Sequence, residues 1–207
     1  PILINFSENI NVTGTPQLTL ETGTTDITIN YTSGTGTSTL TFNYTVGIGQ
    51  SANPLDYKAI NSLTLNGGSI QDPAQNNAIL TLPQPGLTNS LSSNKSIFID
   101  TVAPVVSYVS SSISDGSYNN GTTIPIDIVF SETVVVIGVP SILLNTGGSG
   151  TIVNYSSGSG TNTLTFNYLI QSSHSSSDLE YSGTTLNLAG ASITDSAGNT
   201  LVNTLPT

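Results

Sequence analysis

Thr32-Ser-Gly-Thr-Gly-Thr-Ser-Thr-Leu-Thr-Phe-Asn-Tyr44 returns as Ser156-Ser-Gly-Ser-Gly-Thr-Asn-Thr-Leu-Thr-Phe-Asn-Tyr168, with ten of thirteen positions identical at an offset of 124. Each copy opens on a Ser-Gly-x-Gly turn. Leu164, Phe166, Tyr168 and Ile170 then alternate with Thr165, Asn167 and Leu169, the two-residue period of a strand. Outward from this stretch the likeness continues. Phe6-Ser7-Glu8 becomes Phe130-Ser131-Glu132, and Pro16 becomes Pro140. After a one-residue deletion, Leu63-Thr-Leu65 becomes Leu186-Asn-Leu188, Asp72 becomes Asp195, and Pro83 becomes Pro206. Residues 1–83 therefore match 125–206, and residues 84–124 occur once. An internal repeat of this kind precedes every other reading.

The rest of the repeat reads as short strands. Val105–Val109 is the first. Ile124, Ile126, Ile128 and Phe130 alternate with Pro125, Asp127 and Val129, followed by Val134–Val136, Ile142–Leu144, Ile152–Tyr155 and a run through Leu186, Leu188 and Ile193. Gly, Ser, Asn and Pro punctuate them. No segment carries the helical period. Lys95-Ser-Ile-Phe-Ile-Asp-Thr-Val-Ala-Pro104 reads as the last strand of one unit running into the first strand of the next. The expectation is an all-β chain of two tandem antiparallel β-sandwiches, 1–103 and 104–207. Both would be incomplete: the first lacks its opening strand, the second its last. The absence of an initiating Met or a signal-like segment at Pro1 fits a window on a longer array.

Composition narrows the functions. Charged residues are 7% of the chain, with two Lys and Arg against twelve Asp and Glu, for a formal charge of −10. Nucleic acid and anionic membrane surfaces need clustered cations, so neither is expected as a partner; cations are. No apolar run approaches a membrane span, so no insertion is expected. Without Cys, the core must hold the fold unaided.

The ordered set Phe-Ser-Glu, a Val-rich stretch ending Gly-x-Pro (Phe130–Pro140), Thr-Leu-Thr-Phe-Asn-Tyr, Asp-x-Ala-Gly-Asn (Asp195–Asn199) and Ile-Asp-Thr-x-Ala-Pro (Ile99–Pro104) resembles the immunoglobulin-like and cadherin-like repeats of large bacterial surface adhesins. It is also similar to repeats of very large cyanobacterial motility-associated surface proteins. The resemblance covers essentially the whole chain. It implies an extracellular or cell-surface location and immunoglobulin-like sandwiches. The first copy departs at Asp72-Pro-Ala-Gln-Asn76, where Gln75 replaces Gly198 and brings a left-handed turn into question.

Three positions are acidic in both copies: Glu8/Glu132, Asp56/Glu180 and Asp72/Asp195. Asp100 stands in the connecting segment. On an immunoglobulin-like strand order, Asp100, Glu132 and Asp195 fall at the head of the second domain and Asp56 at the foot of the first. The four carboxylates then converge on a Ca²⁺ site, which takes six to eight hard oxygen ligands. Glu8 and Asp72 are the equivalent ligands of the first copy. Cadherin-like repeats imply this bridging arrangement; the linker here is poorer in Asp, which points to one ion.

Other residues carry less. His174 has Gln50 as its counterpart and reads as a polar-loop residue, not a triad member. Lys58 becomes Ser182, so the repeat needs no isopeptide crosslink there. Tyr31, Tyr44, Tyr155 and Tyr168 fall on strands and read as packing residues. Seven Asn-x-Ser/Thr sequons follow from composition alone. The function expected is a non-catalytic stalk repeat stiffened by Ca²⁺, touching neighbouring repeats and a surface glycan or protein ligand. The alternatives are a filament or sheath subunit assembled by strand donation and, more weakly, a carbohydrate-binding module.

Overall fold

The computed structural model describes residues 1–206. The chain divides into two compact units, Pro1–Thr101 and Val102–Thr207.

The first unit contains β1 (Ile2–Thr13), β2 (Gln17–Glu21), β3 (Ile27–Ser33), β4 (Thr37–Phe42), β5 (Asp56–Tyr57), β6 (Leu63–Thr64) and β7 (Ser69–Gln71). A single helical turn, α1 (Leu91–Asn94), follows, with the Ser90 side chain accepting from Ser93 N. The strands join in the order β5-β2-β3-β4-β1-β7, with β6 also on β2. The second unit contains β8 (Val106–Ser111), β9 (Thr123–Ile137), β10 (Ser141–Leu144), β11 (Thr151–Ser157), β12 (Thr161–Leu169) and β13 (Ser192–Thr194). Their order is β10-β11-β12-β9-β13, with β8 on the free side of β9. Every ladder between these strands is antiparallel, one isolated bridge (Val105 to Val202) is parallel, and with a single helical turn among the described residues the chain is all-β. In each unit one curled sheet closes around its own core.

Alternation builds those cores. Ile124, Ile126, Ile128 and Phe130 of β9 are buried, as are Leu164, Phe166 and Tyr168 of β12. Leu40 and Phe42 hold the same places in the first unit, and Phe42 and Phe166 are both fully enclosed. Tyr31 and Tyr155 pack edge-on against these phenylalanines, with ring centroids 6.2 and 6.0 Å apart. Each tyrosine hydroxyl then accepts a backbone amide of the Ser-Gly-x-Gly turn, from Thr35 at 2.8 Å and Ser159 at 2.9 Å. The turn is bound to glycine. Gly34 and Gly158 have φ of 117° and 113°, and a Cβ there would meet the carbonyl oxygen of Thr39 or Thr163 at 2.0 Å.

Three expectations change. The strands read separately at 124–130 and 134–136 are one strand, β9. Between Thr163↔Val129 and Thr161↔Val134 the register jumps, so Phe130–Thr133 span a gap that β12 crosses with Asn162 alone. The first unit repeats this between Asn5↔Thr39 and Ile10↔Thr37. The Phe-Ser-Glu motif is therefore a β-bulge, a feature that re-aims side chains. Second, the expected strand at Lys95–Pro104 reduces to an isolated bridge, Ile99 to Ala52. Third, Gln75 does adopt the left-handed turn, with φ of 71° against 92° at Gly198.

Candidate metal centre

Asp195 begins a turn that wraps its own carboxylate. Oδ1 accepts from Ala197 N and Asn199 N at 2.8 Å each, Oδ2 accepts from Asn199 Nδ2 at 2.7 Å, and Asp195 N donates to Asn199 O at 3.1 Å. Asp195 is 3% exposed. An ionised carboxylate offers about four lone-pair sites. Three are filled locally, which fixes the side chain's direction.

Glu132 is aimed by the bulge. Along β9 the even-numbered residues face the core from Ile124 to Phe130 and resume at Val134. Glu132 occupies the same phase, yet the bulge leaves it half-buried rather than inward. Its neighbour Ser131 holds the incoming chain: Ser131 N donates to Val105 O at 2.9 Å, and Val105 N donates to Ser131 Oγ at 3.1 Å. Asp100 lies just ahead on that incoming segment and is exposed. Asp100, Glu132 and Asp195 each offer one carboxylate oxygen, and the three lie within 4.8 Å of one another. Hard oxygen donors of this kind suit Ca²⁺ or Mg²⁺.

The other expected ligands do not join this group. Asp56 is buried at 7% exposure and spent inside its own unit. Its Oδ2 accepts from Gly86 N at 3.0 Å, Ser92 N at 3.3 Å and the Ser92 hydroxyl at 2.5 Å, while Oδ1 accepts from Tyr57 N. Burial pushes its carboxyl up, but the bonds from Ser92, Gly86 and Tyr57 outweigh this and hold it below its ordinary value. Asp56 is thus a capping acid for the segment after Pro83, a role that sequence reasoning missed. No local signal marks it: the donors Gly86 and Ser92 lie thirty or more positions from Asp56, in the stretch without a second copy. Asp72 caps its own turn, accepting from Asn76 N at 2.8 Å and Asn76 Nδ2 at 2.7 Å; the side-chain bond chiefly lowers its pKa. Glu8 is exposed on the first bulge. Among the described residues neither belongs to a group of three acids.

His174 is more ordered than a polar-loop residue. It stacks on Tyr168 at 5.6 Å, and its Nδ1 lies 2.9 Å from the Tyr168 hydroxyl. Gln50 does the same work in the first copy, accepting from Tyr44 Oη at 2.8 Å and Gly47 N at 2.7 Å. A position that is interchangeable with glutamine is a loop brace. Lys58 is engaged in an ion pair with Asp26.

Among the described residues, no helix is long and apolar enough to cross a membrane. No family model, curated protein or solved structure matches the chain.

Proposed function

We propose that the chain is a pair of non-catalytic structural repeats of a surface or secreted protein, immunoglobulin-like in architecture, whose connecting segment is tied down by Ca²⁺. The observation that carries this reading is the meeting of Asp100, Glu132 and Asp195 oxygens within 4.8 Å. Two of these acids are presented by devices of the fold, a bulge and a closed turn. Brought together, three carboxylates repel, and a divalent cation removes that repulsion. The remaining ligands of a Ca²⁺ site come from carbonyls or water.

Mechanically, the ion would immobilise the short segment that carries Asp100. A linker of a few residues otherwise leaves relative motion as the default for two domains. The tandem repeat and the near absence of Lys and Arg support a role as a spacer over catalysis or nucleic-acid binding. A ligand bound only by the folded state stabilises it by about 2.7 kcal/mol at a hundredfold excess over Kd. For a unit of this size that is a rise in Tm of roughly 10 °C or more. Chelator should therefore lower Tm and broaden the distance distribution in small-angle scattering. Asp100→Ala should reproduce the effect of chelator, and Asp127→Ala should not. Identical melting and scattering curves with Ca²⁺ and with chelator would sink this reading.

A further inference from the structure

The two copies control for each other, and one matched pair of turns differs by a residue with chemistry of its own. In the first unit Leu65-Asn66-Gly67-Gly68 forms a two-residue turn. Its central φ angles are 47° and 79°, and Gly68 N donates to Leu65 O at 2.8 Å. In the second, Leu188-Ala189-Gly190-Ala191 repeats it, with φ of 47° and 86° and a closing bond of 2.7 Å. Each turn packs closely on the chain just after the long strand of its unit. A Cβ on Gly14 would meet Gly68 Cα at 2.8 Å, and one on Gly138 would meet Ala191 Cα at 2.9 Å. The first turn adds a tie that alanine cannot make, from Asn66 Nδ2 to Thr15 O at 3.2 Å.

Asn66 stands directly before glycine, and the chain holds one other such pair, Asn120-Gly121. A following glycine has no Cβ to keep its backbone nitrogen from the asparagine side chain. Both pairs are exposed, so access to water does not separate them. Their nitrogens do. Gly121 N donates to Ile170 O at 3.0 Å, and Ile170 N returns a bond to Thr122 O at 2.9 Å, which ties that turn to the end of β12. Among the described residues Gly67 N donates to nothing. Swinging Gly67 N onto Asn66 Cγ requires the closing bond of one exposed turn to open, a motion from the low end of local stability. The same swing at Asn120 must also break the bond to Ile170.

We propose that Asn66 is a site of spontaneous covalent modification that ages the first unit ahead of the second. The Gly67 N–Asn66 Cγ bond forms, the Cγ–Nδ2 bond breaks, and Nδ2 leaves as ammonia with the proton of Gly67 N. Water then opens the cyclic imide at either carbonyl, leaving aspartate or isoaspartate. Each product adds a negative charge and removes the donor to Thr15 O. Isoaspartate also lengthens the main chain of the turn by a methylene. The turn leads straight into β7, where Ser69, Ile70 and Gln71 pair with Thr13, Val12 and Asn11 of β1, so the change loosens that ladder. The matching ladder, Ser192–Thr194 on Val135–Ile137, is spared, because Ala189 has no side-chain amide to lose.

The test incubates the whole chain in mildly alkaline buffer, folded and in urea, and follows the conversion of amide to acid at each site by peptide mass. The rates in urea set the intrinsic reactivity of the two pairs. Relative to those rates, folding slows Asn120 at least about tenfold more than Asn66. In the aged folded chain, amide exchange quickens at Ser69–Gln71 and stays the same at Ser192–Thr194. Asn66→Asp, one of the two products, shows the quickened exchange from the start. Three results would each overturn the proposal. They are an Asn66 that stays intact in the folded chain while it converts in urea, an Asn120 that folding slows no more than Asn66, and converted chains whose exchange at Ser69–Gln71 is unchanged.

Discussion

Gln75 holds a backbone conformation that its counterpart gives to glycine, φ of 71° against 92° at Gly198. A left-handed residue with a side chain costs about 1 kcal/mol over glycine. Nothing lies within 4 Å of a Cβ placed on Gly198, so the conformational term stands alone there. Gln75→Gly should stabilise the first unit by roughly 0.5–1 kcal/mol and Gly198→Gln should destabilise the second by as much, as read from urea denaturation. Tyrosine packing was legible in the sequence, because Tyr31 and Tyr155 lie beside the Thr-Leu-Thr-Phe strand. The turn at Gln75 was not, because the closed hydrogen-bond ring of Asp72 and Asn76 overrides the local preference of one residue.

Among the elements, β9 shows both how far pattern reading goes and where it ends. The apolar phase at Ile124, Ile126, Ile128, Phe130, Val134 and Val136 is unbroken except by Glu132, and at that acid the pattern reading divided one strand into two. The bulge that turns Glu132 outward was hidden, because it depends on pairing with β12 and no local residue announces it. The core itself was readable: Phe166 is fully enclosed, and Phe166→Ala should cost about 3–5 kcal/mol in thermal denaturation. The seat of α1 was not readable, since its hold on Asp56 joins residues some thirty positions apart. That hold has a pH signature. Asp56 has a folded pKa below its ordinary value of 3.8, so its contribution is complete above about pH 4 and is lost as pH falls through the folded value. Melting curves of the first unit between pH 5 and pH 2 should show this loss. Asp56→Asn should flatten it while lowering stability at neutral pH by about 1–3 kcal/mol.

At the scale of the whole chain, the repeat was legible from identity at one offset, and with it the all-β class. The candidate ligands were legible in part. Comparing copies picked out Glu132 and Asp195, and the connecting segment supplied Asp100, while Asp56 was misplaced because its burial partner is a segment that occurs once. Function rests on whether the three acids bind an ion. The most direct measurement is calorimetric titration of Ca²⁺ into the chain at low ionic strength. The account predicts one saturable site, abolished by Glu132→Gln and by Asp100→Asn and unaffected by Glu8→Gln, the equivalent acid on the first bulge. An absence of saturable heat, or binding that survives Glu132→Gln unchanged, would contradict it.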